Sequence, residues 1–513
     1  VFTEEIPFFR SEFRIVSAGT GGTVRQQINL NTSFIDGSVV YGSDEARARW
    51  LRTMKNGKLK TSSGNLMPYN TIDGELSSAI DPKAPGMAND SSGKVKTFVA
   101  GDVRAAENPV LASIHTVFVR EHNRICDRLV SQGLRNDEQL YQMARKEVGA
   151  LIAAITYQEF LPALGIILQS YSGYKSFVRP DIMNTFATAS YRIGHTMVSD
   201  DVVFVDNDCE EVSPGEMDLV EVFWNPQLVA AYGVDIFIKG ASSHDQYETD
   251  TKINDVLRNF LFGSPNDPVR FGIDLGSLNI QRGRDHGLPD YNTARRFYTG
   301  TAASSFSDIS PVDSTARALR KLYGDVNNVD LWIGILAEKH LPNKSVGLTM
   351  NSMLKSQFEK LRDGDFYFYL NDPYLSASVR NSVRNTKFSD IIKRNTNLTN
   401  ILTNVFITDS CHNDEEANRL ITTIPQQNLP VIEENSQFRA YPNPATNVLN
   451  IDLKNAEAVT VKIYSATGNL VRGYATGKIQ KNIQLNVSGL TSGTYVVSII
   501  SDKEIKSFRF VKL

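Results

Sequence analysis

The chain has 513 residues, of which 41% are hydrophobic and 22% charged, with 54 Lys and Arg against 57 Asp and Glu. This composition excludes a disordered or collagen-like chain, and a net charge of −3 gives no basic excess that would indicate nucleic acid as a partner. The length allows about three domains at ~150 residues each. Three cysteines are too few for a disulfide framework, so they do not indicate a redox compartment.

The most apolar stretch, residues 148–168, contains Gln158, Glu159 and Pro162. It therefore predicts a buried helix and its exit, and no transmembrane span is expected. The chain opens Val-Phe-Thr-Glu-Glu, without an initiator Met or a signal peptide. We expect that a leader has been removed or that the sequence is a piece of a longer protein.

Residues 1 to about 430 predict a mainly helical domain. Apolar residues recur every three or four positions from 111 to 129, with Asn108 as N-cap and Pro109 at the first helical position. The same spacing predicts a second helix over residues 140–155 and a third over residues 186–198. Long polar loops lie between them, so we expect one large helical domain.

The pattern changes near Pro425. Residues 424–437 have the composition of a linker, and apolar residues alternate afterwards, with turn signals such as Ser492-Gly493 between the runs. Short strands at this spacing predict a small antiparallel β-sandwich. The predicted fold class is mainly α, with a large helical domain at 1–423, a linker at 424–437 and the β-sandwich at 438–513.

Three polar segments are candidates for chemistry. In Thr32-Ser-Phe-Ile-Asp-Gly-Ser38, oxygen-bearing groups alternate and could converge on a calcium ion, or they could form turns with their own backbone. Arg104 and Glu107 precede a helix N-terminus, a place suited to an anion or to a surface ion pair. Residues 281–292 hold five ionisable side chains, as a surface loop or a buried polar scaffold.

His195 lies on a predicted helix, one turn after Tyr191. A neutral imidazole at this position could bind iron or zinc. A lone histidine is more often a hydrogen-bonded core residue, so this residue alone decides nothing.

Taken in order, the motifs resemble the animal-type haem peroxidases of the peroxidase–cyclooxygenase superfamily. The resemblance extends over some 400 residues and rests on six motifs: residues 28–42, Phe98-Val-Ala-Gly-Asp-Val-Arg104, Arg120-Glu-His-Asn-Arg124, Arg192-Ile-Gly-His195, residues 281–292 and Lys360-Leu-Arg-Asp-Gly-Asp365. It implies haem b as cofactor, with covalent attachment left open, and calcium as a second one.

The resemblance implies roles for individual residues. His195 corresponds to the proximal ligand of the haem iron, Asn395 to the amide that accepts the proximal ring N–H, and Arg192 to a further haem-binding residue. Arg104 corresponds to the catalytic distal arginine, and Glu107 to the carboxylate that can esterify a haem methyl. The calcium ligands would be Thr32, the Phe34 carbonyl, Asp36 and Ser38.

Two departures from the family pattern are visible. Asn108 stands where myeloperoxidase has a methionine that bonds the haem, so that link is not expected. The family's distal histidine lies upstream of the calcium loop, whereas the first histidine here is His115. We therefore interpret the chain as an N-terminally truncated peroxidase domain, and loss of the distal base should impair turnover.

Residues from 438 onward resemble the C-terminal sorting domain of type IX secretion cargo. The supporting motifs are Tyr441-Pro-Asn-Pro444, Ile463-Tyr-Ser-Ala-Thr-Gly468 and Leu490-Thr-Ser-Gly-Thr-Tyr495. This resemblance implies a bacterial protein exported by the type IX machinery to the cell surface or the medium.

The expected function is a secreted haem peroxidase that reduces hydrogen peroxide and oxidises small donors or halides, with a role in oxidative stress. One alternative is a surface adhesion protein that keeps the peroxidase scaffold without turnover. A second is a fatty-acid dioxygenase of the same superfamily. In those enzymes the radical tyrosine lies three residues before the haem histidine, whereas Tyr191 lies four before His195, and one residue turns a helical side chain by about 100°.

Overall fold

A computed structural model of the chain describes residues 8–17, 22–90, 93–259, 261, 273–408, 411, 438–441, 445–453, 459–465, 470–476, 482–501 and 505–512. Among these, the residues between Val1 and Tyr369 and between Asn381 and Leu429 form one compact unit. Those between Leu370 and Arg380 and between Pro430 and Leu513 form the other. The linker predicted at 424–437 lies outside the described residues, and the predicted boundaries stay a prediction.

The described α-helices are α1 Ser38–Tyr41, α2 Glu45–Trp50, α3 Pro109–Ser131, α4 Asp137–Ile155, α5 Leu161–Ala163, α6 Asn184–Thr188, α7 Leu219–Val222, α8 Pro226–Tyr232, α9 Val234–Ser243, α10 Asp255–Asn259, α11 Leu275–Asp285, α12 Tyr291–Thr299, α13 Phe306–Ile309, α14 Asp313–Tyr323, α15 Leu331–Ala337, α16 Leu348–Asp363, α17 Ala377–Asn385 and α18 Phe388–Asn395. Short 3₁₀ helices lie at Ser63–Asn65, Ser190–Thr196 and Val326–Asn328, and a π-helical turn at Thr156–Phe160.

The described strands are β1 Phe13–Ser17, β2 Thr23–Gln27, β3 Asp201–Val205, β4 Glu211–Asp218, β5 Phe438–Tyr441, β6 Val448–Leu453, β7 Val459–Ser465, β8 Leu470–Thr476, β9 Asn482–Asn486, β10 Gly493–Ser501 and β11 Ile505–Lys512. The strands β1 and β2 pair as a hairpin, as do β3 and β4. The mainly helical fold class is confirmed.

Two predicted helices are confirmed at the centre of the first unit. The Asn108 side chain accepts the Leu111 N–H at 2.9 Å and caps α3, and Pro109 opens the helix. The second is α4, which extends three residues further back than predicted, to Asp137. Helix α3 packs against α4, α9 and α18, and its buried face carries His115, Glu121 and His122.

The single helix predicted over residues 186–198 is wrong. The chain forms α6 and then a separate 3₁₀ helix, because Ala189 leaves the helical region with φ −130° and ψ −74°. Tighter 3₁₀ winding places side chains three residues apart on one face. His195 therefore lies on a 3₁₀ turn that shares its face with Arg192.

The second unit contains two antiparallel sheets, as the alternating pattern predicts. One has the strand order β11-β10-β7-β8 and the other β5-β6-β9. Leu449 and Leu485 from the smaller sheet and Ile463 and Val497 from the larger one belong to a single buried apolar cluster. Two sheets that share one core form a β-sandwich.

Candidate active site

His195 is half-buried and has a side-chain partner on one ring nitrogen only. Its Nδ1 lies 2.7 Å from Nδ2 of Asn279, which is fully buried on α11. Nε2 makes no hydrogen bond within the described part of the chain. Burial lowers the pKa of His195 to about 4, helped by the positive charge of Arg192, so the imidazole is neutral near pH 7. A neutral imidazole is the form that binds a metal.

Arg192 completes this group. Its Nη1 donates to Oδ1 of Asn279 at 2.5 Å, and its Nε donates to the Ala187 carbonyl at 3.3 Å. Burial and the neighbouring Arg282 lower the pKa of Arg192 to about 10. No carboxylate pairs with Arg192 among the described residues, so a half-buried cation faces this site without a counter-charge. An anionic group of a cofactor would supply that charge.

The expectation that Asn395 accepts the proximal ring N–H is wrong for this structure. Asn395 is the last residue of α18, and its Nδ2 donates to Glu121 Oε2 at 2.9 Å and to the Ile391 carbonyl at 2.8 Å. Glu121 is fully buried and also accepts hydrogen bonds from Arg124 and Arg394. Asn395 therefore fastens α18 to α3, and the amide at His195 is Asn279.

Arg104 lies in the irregular segment before α3. Its guanidinium donates through Nε and Nη2 to the two carboxylate oxygens of Asp102, at 2.9 and 2.7 Å. The Arg104 side chain is 59% exposed, whereas that of Asp102 is 16% exposed. Asp102 therefore fixes the guanidinium of Arg104, whose remaining N–H groups have no acceptor among the described residues.

Glu107 follows on the same segment. Its backbone N–H donates to the Arg104 carbonyl at 2.8 Å, and its own carbonyl accepts the Trp224 N–H at 2.9 Å. Burial raises the pKa of Glu107, and the nearby Arg104 opposes that shift. Trp224 has a positive φ of 54°, which is unusual for a bulky residue and marks a strained turn next to Glu107.

One cavity lies between the chain segments that follow Glu107 and His195, although neither of these two residues lines it. It has a volume of about 210 Å³ and is lined by Asn108 and Val110 from the start of α3 and by Met197, Val198 and Ser199, which follow His195. The structure therefore brings the segments after Glu107 and after His195 to the walls of one space.

The predicted calcium loop forms turns with its own backbone. Thr32 Oγ1 accepts the Phe34 N–H at 3.1 Å, and Asp36 Oδ1 accepts the Ser38 N–H at 2.9 Å. Asp36 Oδ2 has no protein partner among the described residues, and the Phe34 carbonyl retains its lone pairs. These oxygens suit a hard cation, although the described residues contain no cluster of three or more His, Cys, Asp or Glu side chains that could hold a metal.

Helix α4 supports this loop through a glycine. A Cβ at Gly149 would lie 2.8 Å from the Asp36 carbonyl oxygen, so any larger residue would displace the loop. Thr32 and Asp36 line a polar cleft of about 770 Å³, which also contains Arg52 and Tyr141. The cleft lies beside the loop and is separate from the cavity next to His195.

Tyr191 stacks on Phe186 with ring centroids 4.6 Å apart and planes 15° apart. Tyr191 is 45% exposed, and desolvation of its hydroxyl group raises its pKa to about 12. His115, on α3, is buried, and burial lowers its pKa to about 4.

Sequence reasoning missed a disulfide between Cys209 and Cys411, which are 202 residues apart. It joins the turn between β3 and β4 to the last described residue of the first unit, while Cys126 is a free, buried thiol. A disulfide is typical of proteins that fold outside the reducing cytosol. Within the described residues, no helix combines the length and apolarity required to cross a bilayer.

Comparison with known proteins gives two family matches. The animal haem peroxidase family matches residues 1–406, and the secretion system C-terminal sorting domain matches residues 439–512. The sorting domain indicates secretion or attachment to the cell surface.

Individual relatives agree with the first match. Myeloperoxidase of Mus musculus is 35% identical over 454 residues, covering 83% of this chain and 60% of that protein. Peroxidase A from Dictyostelium discoideum is 30% identical with a TM-score of 0.70, covering 78% of this chain and 77% of that one. A fatty acid alpha-dioxygenase from Arabidopsis thaliana, with 19% identity and a TM-score of 0.63, covers 84% of this chain and 68% of that one and shares the fold. The chain spans 60% or less of the myeloperoxidases it matches.

Proposed function

Since the chain belongs to the animal haem peroxidase family, we propose that it is part of a secreted bacterial peroxidase that binds haem b through His195 and reduces hydrogen peroxide. The observation that carries this proposal is the group His195, Asn279 and Arg192. It consists of a neutral imidazole, a buried amide on its Nδ1 and a cation that has no carboxylate partner in the described part of the chain. The electron donor would be a small molecule or a halide.

The residues present fit a haem group. His195 Nε2 would bind the iron, and Arg192 would pair with a haem carboxylate. In the structure, Asn279 turns Nδ2 toward His195, so Nδ1 accepts a hydrogen bond. Iron binding through Nε2 requires Nδ1 to carry the proton, and a 180° rotation of the amide would present Oδ1 to it. The rotation would break the hydrogen bond from Arg192 Nη1 to Oδ1 and leave that N–H for the haem carboxylate. Such a hydrogen bond makes the imidazole a stronger electron donor.

When bound, haem would supply the electrons for cleavage of the peroxide O–O bond. The task of Arg104 is to stabilise negative charge on the departing oxygen through the N–H groups that do not bind Asp102. Glu107 would lie at the haem edge, where its carboxyl group could form an ester with a haem methyl group; hydrogen peroxide would accept the two electrons and two protons released and leave as water. A calcium ion would bind Thr32, Phe34, Asp36 and Ser38 and rigidify that loop.

Export by the type IX machinery would follow from the sorting domain at 439–512. The Cys209–Cys411 disulfide supports an extracytoplasmic location. A dioxygenase remains the second candidate because dioxygenase structures share the fold. Tyr191 lies four residues before His195 and stacks on Phe186, and this placement favours the peroxidase.

The test is titration of the full chain with haemin, followed by visible absorption. We expect a sharp Soret band at one haem per chain, which His195→Ala removes and His340→Ala retains, since His340 bonds the Thr249 carbonyl elsewhere in the unit. Hydrogen peroxide should then drive oxidation of a small phenol or of bromide, at a low rate because no histidine precedes the calcium loop in this sequence. Oxygen uptake with a fatty acid, and none of the peroxide-dependent oxidation, would favour the dioxygenase.

A Soret band that persists in His195→Ala would refute the proposed ligand. A haem-loaded chain without either activity would refute peroxide turnover by these 513 residues.

A further inference from the structure

Asp102 makes three hydrogen bonds to one residue. Its Oδ1 accepts the backbone N–H of Arg104 at 2.8 Å and Nε at 2.9 Å, while Oδ2 accepts Nη2 at 2.7 Å. Both carboxylate oxygens are therefore engaged along one edge of the guanidinium. This contact raises the pKa of Arg104, and the same contact lowers the pKa of Asp102 against the effect of burial.

The opposite edge of the guanidinium points away from Asp102. Two N–H groups on Nη1 and one on Nη2 have no acceptor among the described residues. A free arginine side chain has many rotamers, so an arginine that must meet a small reactant benefits from a partner that fixes its plane.

Asp102 itself is held by its backbone. Its N–H donates to the Val39 carbonyl at 2.9 Å, on helix α1. The preceding Gly101 packs so closely that a Cβ there would lie 2.2 Å from the Ser38 carbonyl oxygen and 2.4 Å from the Gly42 nitrogen. The Val103 carbonyl accepts the Ala88 N–H at 3.0 Å. The Asp102 carboxylate therefore extends from a backbone segment that is held by hydrogen bonds at Asp102 and Val103 and by close packing at Gly101.

These contacts connect the guanidinium to the predicted calcium loop. Asp36 bonds the first residue of α1, α1 bonds the backbone of Asp102, and the Asp102 carboxylate bonds Arg104. An ordered loop would therefore hold the arginine in one orientation.

We propose that Asp102 is the positioning residue for Arg104, fixing the guanidinium so that its free N–H edge meets the peroxide. The inference rests on the proposed function, because it assigns a partner to the arginine of that site. The competing role for Asp102 is to neutralise the charge of the guanidinium. In that role, removing the carboxylate would strengthen anion binding, whereas removing a positioning residue would weaken it.

The experiment measures cyanide affinity of the haem-loaded full chain by the shift of its Soret band. Arg104→Ala should weaken cyanide binding by about tenfold to a hundredfold, since it removes the anion-stabilising donors. Asp102→Asn keeps an acceptor for the backbone N–H and for Nε but loses the second, charged contact, and should weaken binding by about tenfold. The Asp102→Asn change should have no further effect in the Arg104→Ala background.

A matched control is present in the chain. Arg284 and Asp330 form the same two-oxygen pair, at 3.0 and 2.7 Å, with side chains 58% and 16% exposed. Asp330→Asn should change cyanide affinity less than twofold. Asp102→Glu, which keeps the charge, should retain more affinity than Asp102→Asn, and equal melting temperatures would show that the variants fold.

The outcomes distinguish failure of the positioning role of Asp102 from failure of the proposed function. If Asp102→Asn strengthens cyanide binding, or if its effect adds to that of Arg104→Ala, the positioning role is wrong while the proposed function stands. If Arg104→Ala has no effect, the role of Arg104 and this inference both fail. If haem does not bind through His195, the proposed function fails with them.

Discussion

Glu159 gives a quantitative prediction for the stability of the peroxidase domain. Its side chain is 3% exposed and lies on the π-helical turn that follows α4. Oε1 accepts the Phe388 N–H at 3.1 Å, whereas Oε2 is buried and has no hydrogen-bond partner among the residues that the structure describes. Burial raises the pKa of Glu159 from 4.5 to about 7, although Lys387 and the Phe388 N–H act in the opposite direction.

The direction of the pH dependence follows from this shift. Between pH 4.5 and about 7, the folded state holds the proton more strongly than the unfolded state, so stability falls as pH rises through this window. Above pH 7 the cost of the buried carboxylate is fully present. At about 1.4 kcal/mol per pH unit, the difference between the two pKa values corresponds to about 3 kcal/mol.

Glu159→Gln should remove this cost. Its amide keeps an oxygen for the Phe388 N–H and places one unpaired polar group where Oε2 was. The glutamine side chain therefore resembles the protonated, neutral form of Glu159. We expect the variant to be about as stable as the parent at pH 4.5 and more stable by up to about 3 kcal/mol at pH 8. Urea unfolding followed by tryptophan fluorescence at both pH values measures this, with the exposed Glu12→Gln as control. An equal loss of stability in Glu159→Gln at both pH values would refute the reasoning.

Three further predictions follow from contacts in the first unit. Reduction of the Cys209–Cys411 disulfide, or Cys209→Ser, should lower the free energy of unfolding by up to about 5 kcal/mol because the closed loop is long, and calorimetry with and without reductant checks this. Asn279→Ala should weaken haem binding by roughly tenfold to a hundredfold in a haemin titration, because His195 loses its partner on Nδ1, whereas an unchanged affinity would contradict the role of that amide. Gly149→Ala should displace the Asp36 loop, lower the free energy of unfolding by about 1–3 kcal/mol and reduce any thermal stabilisation by calcium. A variant with the parent's melting temperature would show that the loop can accommodate the added methyl group.

Local signals in the sequence predicted the elements that local interactions determine. Asn108 and Pro109 define the start of α3 because an N-cap and a proline act within one turn of the helix. The strands of the sorting domain follow from alternation for the same reason. The break at Ala189 was missed because the apolar spacing around it still fits a helix, and the backbone leaves that path through tertiary packing.

The candidate site also has one part that local motifs predict and another that only the fold determines. The motifs predicted roles for His195, Arg192, Arg104 and Glu107, and these roles stay a prediction. The motifs could not decide which amide reaches the imidazole. Asn279 and His195 are 84 positions apart and meet only because α11 packs near the 3₁₀ turn. The disulfide is a similar case, since three cysteines allow three pairings and no local pattern distinguishes them.

The position of Cys411 has a consequence for the fate of the exported chain. Its sulfur is bonded to Cys209, so the described end of the peroxidase domain is attached to its body by a covalent bond as well as by the main chain. The sorting domain matches residues from 439 onward, beyond this bond. A proteolytic cut between the two would separate the sorting domain and leave, at most, residues 412–438 beyond the disulfide. A protease that degrades this tail would then meet a cross-linked backbone at Cys411.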